Sequence, residues 1–285
     1  MKWSKSGSAR PAGQAGRFYP AGPQELRREV ERAIDAAPSV ESEDPPIGFV
    51  SPHAGYTFSG GTAGRVYRQL RDLSPSTVFV FAPSHHSFFP LASIWDGPAY
   101  STPLGDCPID GETVAGLKER LPGLGCERGA ETQEHSLEVQ IPFLQVACPQ
   151  AGLVPLLIGD QSKGNIKKVV EAIAALCAET AGMERGKIAF VASSDAYHGD
   201  SLDRCRQSDR RLAEAVRTMD VDAFYEETDS RRAMACGAGP IAAAMLLSQR
   251  LGATQATILG QATSADAMPY RAGSYVVGYL AAMFS

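Results

Sequence analysis

Short, uninterrupted apolar runs recur along this chain, and each is followed by a stretch with helical spacing. "TVFVFA" (77–82) is the clearest run: β-branched and aromatic residues without polar alternation, the pattern of a strand buried on both faces. "IGFVS" (47–51), "LVPLLIG" (153–159) and "KIAFVAS" (187–193) repeat it. Between them the apolar positions fall three to four apart. "GPQELRREVERAIDAA" (22–37) places Leu26, Val30, Ala33, Ile34 and Ala37 on one face, with Pro23 near its start. Helices are likewise predicted through "AGRVYRQLRDL" (63–73), "DGETVAGLKERL" (110–121), "HSLEVQIPFLQVA" (135–147), "NIKKVVEAIAALCAET" (165–180), "DRRLAEAVRTM" (209–219) and "GPIAAAMLLSQRL" (239–251). The chain closes with β-like "ATILGQAT" and "SYVVGYLAAMF". Strands buried on both faces need helices over them. The alternation therefore predicts an α/β fold, a layered sandwich with a central, mostly parallel or mixed sheet.

No linker or internal repeat interrupts the pattern. We expect a flexible N-terminal lead-in over 1–15 and a single domain over 16–285. With 44% hydrophobic and 21% charged residues the chain can bury a sizeable core. A net charge of −5 and the lack of a Lys/Arg stripe argue against nucleic acid as partner. No apolar run approaches the roughly 18 residues of a membrane helix, and the N-terminus lacks the apolar core of a secretory signal. Six cysteines without CxxC spacing do not suggest a disulfide scaffold, so the expected location is cytoplasmic.

The histidines carry the chemical signal. There are five, and most follow apolar runs: His53 in "GFVSPHAGY", His85 and His86 in "VFVFAPSHHSFFP", His198 in "AFVASSDAYHGD". Ligands of open α/β sheets bind beyond the carboxyl ends of the strands. If these strands are neighbours, His53 and His85 converge on one crevice, with Asp195 and His198 nearby. Converging neutral imidazoles suit Zn, Cu, Fe or Ni; the competing reading of each is a hydrogen-bonded turn residue. His86 is expected at a supporting or solvent position, since adjacent residues seldom face one ion. In "ETQEHSLEVQ", His135 and Glu138 stand three apart at a helix start. His135 is a candidate for substrate contact or proton transfer, and Glu138 is expected to counter the helix dipole. Cys236, in the Gly-rich turn of "ACGAGPIAAAML", is read either as a thiolate for ligation or nucleophilic chemistry, or as a small buried hydrophobe.

The motifs "RFYP", "SPHAGYTFSGGTAGRVY", "FAPSHHSFF", "STPLGDCPID", "EHSLEVQIPFLQ", "VPLLIG", "SSDAYHGD" and "CGAGPIAAAML" occur in order over residues 16–283. Together they resemble the Memo family, whose prokaryotic members are called AmmeMemoRadiSam system protein B. That resemblance implies the fold of the class III extradiol dioxygenases, which hold non-haem Fe(II) with two histidines and a carboxylate. It further implies that His53, His85 and Cys236 hold a metal, with thiolate in place of the carboxylate. Asp195, His198 and His135 then match pocket residues with catalytic roles, His198 resembling an acid–base histidine held by Asp195. Fe(II) is the implied cofactor and copper the alternative, which a softer thiolate ligand favours. The resemblance also implies a functional link to AMMECR-type and radical-SAM proteins.

The function expected is a metal-binding, non-haem iron or copper oxygenase or other oxidoreductase acting on a small-molecule substrate. Two other readings compete. One is a non-catalytic metal- or peptide-binding protein on a dioxygenase-like scaffold, although no Arg cluster for phosphotyrosine is evident in the sequence. The other is a metal- or Cys-dependent hydrolase.

Overall fold

The computed structural model describes residues 7–268 and 275–285. Its strands are β1 (Gly48–Ser51), β2 (Thr77–Pro83), β3 (Ala92–Ser93), β4 (Ala99–Thr102), β5 (Gly105–Pro108), β6 (Gly152–Ile158), β7 (Ile188–Ser193), β8 (Asp195–Gly199), β9 (Ala256–Thr263) and β10 (Val276–Phe284). Its helices are α1 (Pro23–Asp35), α2 (Tyr56–Leu73), α3 (Gly111–Arg120), α4 (Arg128–Gln133), α5 (Ile141–Ala147), α6 (Lys163–Glu179), α7 (Leu202–Arg217), α8 (Val221–Asp229), α9 (Ala238–Arg250) and α10 (Ser264–Ala267).

The centre of the sheet is the parallel set β6-β2-β7-β1, made of the apolar runs that the sequence marked as doubly buried strands. Every residue of β2 and β7 is buried. Antiparallel β10 extends the sheet beyond β1 and makes it mixed. One edge of β10 pairs with β9 over Gly278–Phe284; β1 and β8 therefore share its other edge, one after the other. Helices α1, α2 and α5 pack together over one face, and α6, α8 and α9 over the other. This is the layered α/β sandwich expected, and because β2, β7 and β1 are parallel neighbours, their carboxyl ends emerge side by side.

Two segments differ from the sequence reading. Helix α2 begins at Tyr56, inside "PHAGYTFSGG", where glycines predicted a loop. Farther along the helix, at Gly64, a Cβ would lie 2.3 Å from the Ala33 carbonyl oxygen of α1, so the two helices meet backbone to backbone. Gly64→Ala should accordingly cost about 1–3 kcal/mol in urea unfolding, the usual range for an overpacked contact. A loss well below this would show that the two helices can part freely.

The stretch 135–147 is not one helix. A 3-10 turn spans Glu138–Gln140, and α5 starts afresh at Ile141 with Pro142 in its first turn, where proline costs no hydrogen bond.

The expected lead-in over 1–15 is also corrected for its described part, residues 7–15. Arg10 is 1% exposed; its backbone bonds to Ala99 and Ser101, and its guanidinium ion-pairs with Glu138 at 2.5 Å. Glu138 is equally buried and also accepts from Gly13 N, Gln14 N and Tyr19 Oη at 3.1, 2.7 and 2.6 Å. The carboxylate expected to counter a helix dipole instead fastens the N-terminal segment to the domain. Residues 1–6 lie outside the described residues.

Candidate metal centre

His53 follows β1, His85 follows β2, Ser193 ends β7 and Asp195 opens β8 just beyond it, so the parallel register delivers them to one rim. The segment 134–140 lies across that rim and closes the site from below. Ser136 Oγ donates to Pro83 O at the end of β2, and Gln140 Nε2 donates to Pro52 O and to Ser193 Oγ. Tyr67 Oη holds Gln140 in turn.

His53, His85 and His135 converge: one donor nitrogen from each lies within 4.8 Å of the other two. Their ring centroids are 5.2 Å (His53–His85), 5.3 Å (His53–His135) and 4.8 Å (His85–His135) apart. The hydrogen bonds decide which nitrogen of each ring carries a lone pair. Ser193 Oγ gives its one proton to Ser136 O at 2.6 Å, so toward His53 Nδ1, 2.9 Å away, it can only accept. His53 is therefore the Nδ1–H tautomer, with its lone pair on Nε2. Burial, then the neighbouring His135 and His85, hold the His53 imidazole well below its usual pKa, so it is neutral at neutral pH.

The other two rings share one orienting group, Glu134. Its Oε1 accepts from His85 Nδ1 at 2.9 Å and pairs with His135 Nδ1 at 3.2 Å. The same carboxylate accepts the backbone N–H groups of His85, His135 and Ser136 at 2.6, 3.0 and 3.0 Å. Burial by itself would raise this carboxyl's pKa. The bonds from His135 and His85 outweigh burial and keep it ionised well below the usual carboxylate range. Such carboxylate–histidine pairs fix tautomer and ring direction in metal sites. Sequence reading paired His135 with Glu138. The carboxylate that serves it is the one immediately before it, and "QEHS" offers no periodicity that would single it out.

Cys236 Sγ lies 3.1 Å from His53 Nε2 and accepts the Asp195 N–H at 3.2 Å. Burial, reinforced by Asp195, pushes its thiol pKa up. Cys236 thus stands against the histidine cluster through His53. Asp195 is 3% exposed; its Oδ1 accepts from His53 N and Ala54 N at 2.8 and 3.2 Å, while burial pushes its carboxyl up to about 7. The expected Asp195–His198 hydrogen bond is not the one formed. Residues 195–199 form strand β8, which spaces the two side chains along an extended backbone. His198 Nδ1 meets Tyr275 Oη at 3.2 Å instead, and its Nε2 is buried without a hydrogen-bond partner among the described residues. Burial, then the neighbouring His85 and His135, lower the His198 pKa. His86 is exposed.

The family profile described as Memo-like protein matches residues 10–283. A MEMO1 family protein of Archaeoglobus fulgidus is 36% identical over 272 residues, 95% of this chain and 97% of the relative. MEMO1 family proteins of Methanopyrus kandleri and Methanosarcina barkeri are 33% and 34% identical, covering 95% and 94% of this chain and 96% of each relative. Among the described residues no helix is long and apolar enough to cross a membrane.

Proposed function

The chain belongs to the Memo family, and from that membership and the geometry of the site we propose that it is a metal-dependent redox enzyme acting on a small molecule. The observation that carries the reading is the orientation of the three imidazoles. Each has its Nδ1 engaged by Ser193 or Glu134, which leaves the lone pair on Nε2; that of His53 meets Cys236 Sγ. Unpartnered turn histidines have no need of such a scaffold.

Imidazoles together with a thiol form a borderline-soft donor set, which fits iron or copper. We propose that His53, His85 and Cys236 are the ligands, with His135 facing the same point, and that iron(II) is the metal. The bound ion would supply one-electron redox chemistry. The remaining steps fall to the protein. His53 is held neutral for ligation, and Cys236 gives up its proton when it ligates. His198, neutral and with Nε2 free, takes or returns a substrate proton, while Tyr275 Oη fixes its ring.

Anaerobic purification with metal analysis, followed by O₂-consumption screening, tests this. Failure to retain iron or copper after loading would remove the reading. Retention without turnover would reduce it to metal holding.

The thiol gives the centre a pH signature. Burial raises the Cys236 pKa, so at neutral pH the metal-free thiol keeps its proton and ligation must release it. Affinity should therefore rise with pH, by about tenfold per unit from this proton alone. Cys236→Ser should weaken binding at least about tenfold at neutral pH and flatten that slope. Equal affinities and equal slopes in isothermal titration would assign Cys236 to the wall of the site.

A further inference from the structure

Next to His198 lies a cavity of about 570 Å³ whose walls do not share the charge of the chain. The protein as a whole carries −5, yet Arg204, Arg211, Arg231 and Arg232 all line this one cavity. They are hidden in sequence because they come from two elements: Arg204 and Arg211 from α7, Arg231 and Arg232 from the loop between α8 and α9. Glu227 neutralises part of the set, pairing with Arg232 at 2.9 Å and Arg211 at 3.5 Å. The side chains of Arg204 and Arg231 have no hydrogen-bond or ion-pair partner among the described residues. Asp200, also in the wall, pairs with neither.

Position makes this more than a charged surface. The loop that carries Arg231 and Arg232 continues into Cys236, and it is pinned at both ends: Met234 N donates to Ser208 Oγ at 3.0 Å, and Cys236 N to Asp195 O at 3.2 Å. Strand β8 and this loop thus each run from the cavity, at His198 and Met234, to the histidine cluster, where Asp195 and Cys236 meet His53. Arg231 also sits at φ 57°, a left-handed backbone that glycine would adopt more easily. A guanidinium stands where the backbone favours glycine. Guanidiniums recognise carboxylate and phosphate oxygens through paired, charge-assisted hydrogen bonds.

We propose that this pocket holds the anionic end of the substrate, a small organic acid or phosphate ester whose other end passes His198 to the histidine cluster. The inference rests on the metal-centre reading for its view that the bound oxyanion belongs to a substrate.

Inorganic phosphate and succinate are the probes, titrated into the full chain with and without loaded metal. Calorimetry gives affinity, and the imidazole resonances of the metal-free form give location. Both forms should bind at least one probe, and the His198 resonance should shift while that of exposed His86 does not. Combining Arg204→Gln with Arg231→Gly should weaken binding at least about tenfold in both forms without changing metal content. Because glycine relaxes the left-handed backbone at position 231, Tm should not fall, so lost binding cannot be put down to misfolding. Arg210→Gln, on the same helix but outside this cavity, should bind like wild type. Tighter phosphate binding would identify a phosphate ester, and tighter succinate binding an organic acid. Binding confined to the metal-loaded form, a still His198 resonance, or equal loss in Arg210→Gln would overturn the proposal. If metal is retained but neither probe binds, only the pocket fails; if the pocket is intact but no metal binds, only the metal centre fails.

Discussion

Glu134→Ala should lower metal affinity by about 100-fold, the upper end of what removing a group that orients ligands costs. Most such groups serve one ligand, whereas Glu134 serves two, His85 and His135. Without it, either nitrogen of each ring can carry the proton, so the lone pair is no longer committed to one side. Three backbone N–H groups, those of His85, His135 and Ser136, also lose their acceptor. Two of these are part-buried and one is buried, so stability should fall as well, by about 1–3 kcal/mol for the group left worst satisfied. Glu134→Gln separates the effects. Its amide oxygen can still accept on one side, but its NH₂ would face a donor on the other, so affinity should fall by about tenfold with a smaller loss of stability. The carboxylate's stabilising effect also has a defined pH window. Its folded pKa is depressed, so the contribution is complete above the normal carboxylate range and fades only as pH falls below it. Metal titration and urea unfolding of the two variants provide the check. Wild-type affinity in Glu134→Ala would mean that packing alone orients the rings.

What the sequence made legible follows from which interactions have a period. The central strands were readable because burial on both faces leaves a continuous apolar run, as in "TVFVFA". The placement of His53 and His85 was readable because parallel strands end on one side. Glu134, Gln140 and Ser193 were not. Their decisive bonds, Glu134 to His85, Gln140 to Ser193 and Ser193 to His53, span 49 to 140 residues of sequence, and no local pattern encodes such contacts. The α2 start was misread because Gly60 and Gly61 look like turn residues, although both sit inside the helix with room for a side chain: an added Cβ would meet only Tyr56 at ordinary contact distance at one and nothing within 4 Å at the other. Glu138 was misread for a related reason. Three residues after His135 it looks like a helical neighbour, but the 3-10 turn and its partner Arg10, 128 residues away, direct it elsewhere.

That buried pair leads to the largest expected loss of stability. Glu138→Ala should destabilise the protein by about 3–5 kcal/mol, the cost of leaving one member of a buried ion pair uncompensated. Set against a total of about 5–15 kcal/mol for a typical domain, this is a substantial fraction. The loss is large because Arg10 cannot reach water: both side chains are 1% exposed. It is also shared, since Gly13 N, Gln14 N and Tyr19 Oη lose the same acceptor. Glu138→Gln keeps the volume and one acceptor, so it should lose clearly less, and Tyr19→Phe, which removes one bond, about 1 kcal/mol. The damage should also reach the metal centre. Arg10 Nη2 donates to the Glu134 carbonyl at 2.6 Å and Nε to the Glu131 carbonyl at 2.8 Å, so this guanidinium helps set the backbone from which Glu134 holds His85 and His135. Metal affinity in Glu138→Ala should therefore fall too, but by less than in Glu134→Ala, because the carboxylate itself remains. Urea unfolding and metal titration measure the two effects separately. A stability change under about 1 kcal/mol would mean that the N-terminal segment docks without its ion pair, since an uncompensated buried charge cannot be that cheap.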